Sequence, residues 1–193
     1  MKATKSTGKN SPATSTGNAG VKPHNYRDPA TDLKALFVEG LKDMYWTEKA
    51  LTRELPKMSK KASSEELSEA IDQHLEETEK QVKRLEKIFS HIGKTAQGKK
   101  CEAMVGLIKE AEQMISEATD GIVRDATIIA GAQKVEHYEI ASYGTLRAYA
   151  GILGYDHSAE LLQESLNEEK DADSKLTGLA MDTINVEASE MEE

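Results

Sequence analysis

One cysteine, Cys101, in 193 residues excludes an internal disulfide and leaves a thiolate-built zinc site without its ligands. Aromatic residues reach only 5% and there are 4 prolines, against 31% charged residues. That balance favours long helices over a β-sandwich or barrel. No stretch approaches the ~18 apolar residues of a membrane span, and the N-terminus lacks the apolar core of a secretory signal, so a cytoplasmic location is expected. Missing too are a glycine-rich strand–helix loop for phosphate, a G-x-S-x-G elbow and a solenoid repeat. The length suits one domain, large enough to bury a core without disulfide or metal.

Acid is absent from residues 1–27, which carry Lys2, Lys5, Lys9, Lys22 and Arg27; the remainder holds 20 bases and all 34 acids. Such an acidic body repels anionic membrane and nucleic acid and makes cations its natural small partners. Contact with nucleic acid is expected at most weakly, through the basic tail. Gly, Ser, Thr, Asn and Pro fill 15 of those 27 positions, so burial cannot offset the entropy of ordering them. Residues 1–27 are therefore expected to be a disordered tail, and 28–193 the folded body.

Past the tail, the apolar period is helical throughout. A first helix is expected from Asp28–Pro29 or Thr31, with a stripe of Phe37, Leu41, Met44, Glu48, Leu51, Leu55 and Met58, and Pro56 loosening its last turn. Ser63 with Glu66 reads as a capping box opening a second helix, which runs to about Ile92 and ends at Gly93. A shorter helix from Cys101 uses Met104, Leu107, Ile108, Ala111, Met114 and Ile115. Two further long helices are expected over about 120–150 and 156–186, separated by the Gly151–Gly154 turn. Four long helices with a lengthy crossover between the second and third describe an all-α, ferritin-like four-helix bundle, with an additional short helix in the crossover.

Carboxylates interrupt the stripes that should be apolar. At about 100° per residue, Glu48 sits mid-seam between Met44 and Leu51, and His74 and Gln81 lie on the second helix's stripe with Glu77 on its shoulder. Glu136 and Glu139 face the same way as Ile129, Ala132 and Tyr143; Glu169 lies on the arc of Leu161, Leu162 and Leu176, with Asp173 nearby. One unpaired buried carboxylate costs several kcal/mol or takes up a proton. A cluster drawn from four helices makes sense around compensating cations, and two divalent ions neutralise four carboxylates. Singly, each residue has a plainer reading. Glu48 can reach Lys49 or Arg53, His74 can be a hydrogen-bonded core histidine, Glu77 can pair on the surface, and Asp125 can serve the start of its own helix. Cys101 reads as a structural thiol, and Tyr45, Tyr138 and Tyr143 as packing residues that lie near the candidate ligands.

The stretches Asp43–Leu55 (DMYWTEKALTREL), His74–Leu85 (HLEETEKQVKRL), Lys134–Leu146 (KVEHYEIASYGTL) and Leu166–Leu176 (LNEEKDADSKL) resemble the YciF-like bacterial stress proteins, a ferritin-like branch related to rubrerythrins. The resemblance implies a homodimer, a link to stress responses and an internal metal site of Glu48, Glu77, Glu136 and Glu169, with His74, Glu139 and Asp173 as further ligands. Lys80 and Ala172 stand where the histidines of two Glu-x-x-His pairs would be, which leaves an oxygen-rich shell suited to iron or manganese. The expected function is that of a dimetal protein acting on peroxide or dioxygen in the manner of a peroxidase, catalase or ferroxidase. With no CxxC pair in the chain, reducing electrons would come from an external donor. The alternative is a non-catalytic stress protein that buffers metal or serves as a structural dimer. The residues do not single out a catalytic group or decide whether the protein is an enzyme.

Overall fold

The computed structural model describes residues 30–191; the tail expected over 1–27 and the helix start at Asp28–Pro29 lie outside them. The elements are α1 (Leu33–Ser59), α2 (Glu65–His91), α3 (Glu102–Glu117), α4 (Ile122–Ile152), α5 (Asp156–Leu179), a π-helical turn (Ala180–Ile184) and α6 (Asn185–Glu190). The described residues form no strand. None of their helices is long and apolar enough to cross a membrane.

Local chemistry fixes the ends. Asp32 caps α1 by accepting the Ala35 N–H at 2.8 Å, and Pro56 is accommodated inside the helix without ending it. Gly93 closes α2 at φ +67°, a left-handed conformation natural to glycine, while the Lys94 N–H returns to the Phe89 carbonyl at 2.8 Å. Gly154 does the same after α4 at φ +74°. Two expectations need correction. The N-cap of α2 is Ser64, whose hydroxyl accepts the Leu67 N–H at 3.3 Å, rather than Ser63. Ser63 is held elsewhere, because its N–H and that of Ser64 donate to the two oxygens of buried Asp125 at 2.8 and 2.7 Å. The last long helix also does not run uninterrupted to 186. It widens into the π-helical turn at Ala180 and resumes to Glu190.

Helices α1, α2, α5 and α4 pack in a closed ring, and α3 lies on the outside of α4. Ring neighbours run antiparallel. Gly40 and Glu48 of α1 meet Leu146 and Tyr143 of α4, and Gln73 and Arg84 of α2 meet Lys175 and Ser165 of α5. Since α4 begins beside the α1–α2 turn, the chain must travel back along the bundle after α2. Residues 92–101 do so against α1, where the Lys99 N–H donates to the Lys42 carbonyl at 3.0 Å. There Lys42 and Lys99 both bind Glu39 and hold its carboxyl down at about 2. A Cβ on Gly98 would lie 3.2 Å from the Trp46 backbone, so a small residue permits this close approach. Helix α3 completes the return and seats Ala111 against Gly131.

The bundle thus has the ferritin-like arrangement expected of the sequence. Its core is split in two. One apolar cluster holds Leu51, Leu55, Leu67, Ile71, Val135 and Leu176. The other holds Met44, Leu41, Leu85, Ile88, Tyr143 and Leu166. On every ring helix at least one buried polar residue lies between the two clusters.

Asp125 ties the start of α4 to the start of α2 through two charge-assisted hydrogen bonds. Asp125→Ala would strand two backbone N–H groups and should lower unfolding free energy by about 2–3 kcal/mol in urea titrations. Asp125→Asn, which keeps one acceptor, should lose less; equal losses would contradict the capping role.

Candidate metal centre

The polar layer draws from all four ring helices: Glu48 from α1, His74, Thr78 and Gln81 from α2, Glu136 and Glu139 from α4, and Glu169 from α5, all buried. Their backbone positions follow from the helical period, which turns inward the same face that carries the buried apolar residues of the two clusters further along each helix. One ligand atom each from His74, Glu136, Glu139 and Glu169 lies within 4.8 Å of all the others. His74 Nε2 stands 3.4 Å from Glu136 Oε1 and 3.9 Å from Glu169 Oε2.

Two side chains clamp the carboxylates. The Tyr143 hydroxyl donates to Glu48 Oε1, and the Gln81 amide donates to Glu169 Oε1 and, at 3.1 Å, to Glu168. Arg84 then grips Glu168 with both terminal nitrogens at 2.5 and 2.6 Å, so a polar chain runs from the half-buried α2–α5 seam to Glu169. Thr78 turns its hydroxyl to the His74 carbonyl at 2.9 Å. The other oxygens of Glu48, Glu136 and Glu169, both oxygens of Glu139 and both ring nitrogens of His74 have no hydrogen-bond partner.

Burial governs the protonation of this layer. It pushes Glu48 up to about 8, with the charge of Glu169 adding to the effect. It also raises Glu136, Glu139 and Glu169, with nearby carboxylate charge adding to the effect. Burial works against a charged His74, yet Glu136, Glu77, Glu169 and Glu48 outweigh it and hold the imidazole at about 10. Tyr143 is raised by burial and by Glu48. Without a cation, the layer therefore keeps protons where carboxylates would otherwise repel one another. Unpartnered carboxylate oxygens converging with an imidazole are a donor set that fits a divalent cation.

Of the residues singled out in the sequence, the fold brings together Glu48, His74, Glu136, Glu139 and Glu169. Glu77 stays at the rim, where it accepts the Gln73 amide at 3.0 Å and lies 3.9 Å from His74 Nδ1; His74 holds its carboxyl below the usual range. Asp173 is turned to the α4–α5 surface, where it accepts the Gln133 amide at 3.1 Å and faces exposed His137. Asp125 serves the start of α2 rather than its own helix. The inward pair at i,i+3 on α2 is Thr78 and Gln81, flanked by outward Glu77 and Lys80. Gln81 lies on the same stripe seven positions after His74, but an uncharged amide does not signal a site by sequence pattern alone.

A family model described as a domain of unknown function (DUF892) matches residues 32–189, which include the whole polar layer. Protein YciF of Escherichia coli (strain K12) is 48% identical over 157 residues, spanning 81% of this chain and 95% of that protein. Among solved structures, YcfI of Rhodopseudomonas palustris matches with a TM-score of 0.78 at 44% identity, over 81% of this chain and 99% of its own. The E. coli stress protein YciF matches at 0.76 and 47% identity, over 80% and 98%. A Xanthomonas campestris pv. campestris protein at 23% identity shares the fold, with a TM-score of 0.68 over 83% of this chain and 99% of its own.

The pH dependence of the metal-free protein follows from the raised values. Glu48 goes from 4.5 to about 8, so stability is lost as pH rises above the unfolded carboxylate value. His74 goes from 6.5 to about 10, so its contribution is complete below 6.5 and lost as pH rises through 10. Both act in one direction. The urea midpoint of metal-free protein should fall steadily from about pH 5 to pH 9, and Glu48→Gln should flatten the fall. A midpoint that rises over this range would contradict the protonated layer.

Proposed function

Because the chain belongs to the DUF892 family, and its relative YciF of E. coli is a stress protein, we propose that it is a stress-response protein built around a buried iron or manganese centre. The observation that carries this reading is the set of unpartnered buried donor atoms of Glu48, His74, Glu136, Glu139 and Glu169. The hydrogen bonds from Tyr143 and Gln81 and the contacts of His74 with Glu136 and Glu169 satisfy only part of this layer. Two divalent ions would balance the four carboxylates Glu48, Glu136, Glu139 and Glu169. Bound there, the metal would supply Lewis acidity and a redox couple for peroxide or dioxygen.

The chain's own groups do the rest. The two apolar clusters exclude bulk water above and below the layer. Gln81 and Tyr143 each hold one oxygen of a carboxylate, which leaves Oε2 of Glu169 and of Glu48 free toward the interior. In the metal-free layer Glu48, held at about 8, keeps a proton near neutral pH, which a cation bound there would displace. A single cysteine rules out a thiolate electron-transfer module within the chain, so any reductant is a separate donor. A cytoplasmic homodimer is part of the same proposal.

The test is elemental analysis after anaerobic loading with Fe(II) and Mn(II) in competition and desalting, followed by peroxide turnover. About two metals per chain and metal-dependent turnover are expected. Glu136→Gln and Glu169→Gln, neutral replacements for groups that burial already drives toward their neutral forms, should retain less than half the wild-type metal. Metal without turnover would make the protein a metal buffer or structural dimer. No retained metal, or undiminished metal in both variants, would overturn the reading.

A further inference from the structure

A cavity of about 120 Å³ lies between α2, α4 and α5, against the polar layer. His74 and Glu136 line it, and both of them carry buried donor atoms without partners. Ala70, Ala132 and Leu176 form part of its wall, so small and apolar side chains border the space. At its outer side, Lys175 Nζ donates to Gln73 Oε1 at 2.8 Å, and Gln73 donates in turn to Glu77 at 3.0 Å. This hydrogen-bonded strap joins α2 to α5 across residues that line the cavity.

We infer that this cavity is the port by which small neutral molecules of the size of dioxygen or hydrogen peroxide reach the His74–Glu136 side of the layer, and that the Gln73–Lys175 strap limits its entrance. The inference deepens the metal-centre reading and depends on it for its purpose. Size sets the first limit. An apolar cavity of ~150 Å³ is enough for benzene or xenon, so 120 Å³ takes a molecule of a few atoms and excludes a bulky organic hydroperoxide. Charge sets the second. Glu77 and Asp171 line the space opposite His74 and Lys175, so no excess of one sign draws an ion in, and the apolar part of the wall does not solvate one. Ala172, half-buried on α5 one helical turn from Glu169, borders the same space. A larger side chain there would narrow it without removing a donor atom.

Two measurements test this, one of them independent of metal. Crystals of metal-free protein under xenon pressure should show one xenon between Ala70, Ala132 and Leu176, and Ala70→Leu should remove it. In Fe(II)-loaded protein, nitric oxide binding followed by absorbance should slow at least tenfold in Ala172→Phe and quicken in Gln73→Ala; an unchanged rate in Gln73→Ala would remove the strap from the entrance. Cumene hydroperoxide, too large for the cavity, should oxidise the bound iron at least tenfold more slowly than hydrogen peroxide does. Absence of xenon from the wild-type cavity, or an unchanged nitric oxide rate in a folded, iron-loaded Ala172→Phe protein, would overturn the port. Failure of the wild-type chain to retain iron would instead overturn the metal reading, and with it the purpose assigned to the port, while the xenon result still decides whether the cavity admits a small apolar guest.

Discussion

Five ionisable side chains from four helices share the buried middle of this bundle with few hydrogen bonds. Like charges so close in a low-dielectric interior cannot all ionise. The layer is therefore stable in either of two ways: with protons distributed among Glu48, His74, Glu136, Glu139 and Glu169, or with cations in their place. Much else in the structure serves to hold that layer together. The apolar clusters on either side supply the folding free energy that offsets it. The ring order places each inward face opposite the others.

The clamps show how the layer is kept from rearranging. A buried carboxylate with two free oxygens can rotate; Glu48 and Glu169 each have one oxygen fixed, by Tyr143 and Gln81. Gln81 is in turn tied through Glu168 to the Arg84 fork at the α2–α5 seam. Neither Glu136 nor Glu139 is clamped in this way. In the proposed centre, clamped and unclamped carboxylates side by side would hold cations and still admit a small reactant.

Much of this was legible in the sequence because the signals were strong and local. Glu48 between Met44 and Leu51, and Glu136 and Glu139 three apart on a stripe with Ala132 and Tyr143, are anomalies in an apolar seam that periodicity detects directly. Gly93 announced the end of α2. What escaped depended on partners far away in the chain. Ser64 rather than Ser63 caps α2 because Asp125, on α4, claims the backbone at that corner. Asp173 is close in angle to Glu169, yet Gln133 offers it a hydrogen bond on the outer surface. Helical angle alone cannot rank such neighbours. The π-helical turn at Ala180–Ile184 interrupts a stretch whose composition is ordinary for a helix, and the structure offers no side-chain cause for it.

The central claim is that the converging donor atoms of α1, α2, α4 and α5 exist for a cation. Anomalous diffraction at the manganese and iron edges, from crystals of loaded protein, tests it most directly. The account predicts strong anomalous density enclosed by His74, Glu136, Glu139 and Glu169, extending toward Glu48. Density confined to surface carboxylates, with the buried layer empty after loading, would contradict it.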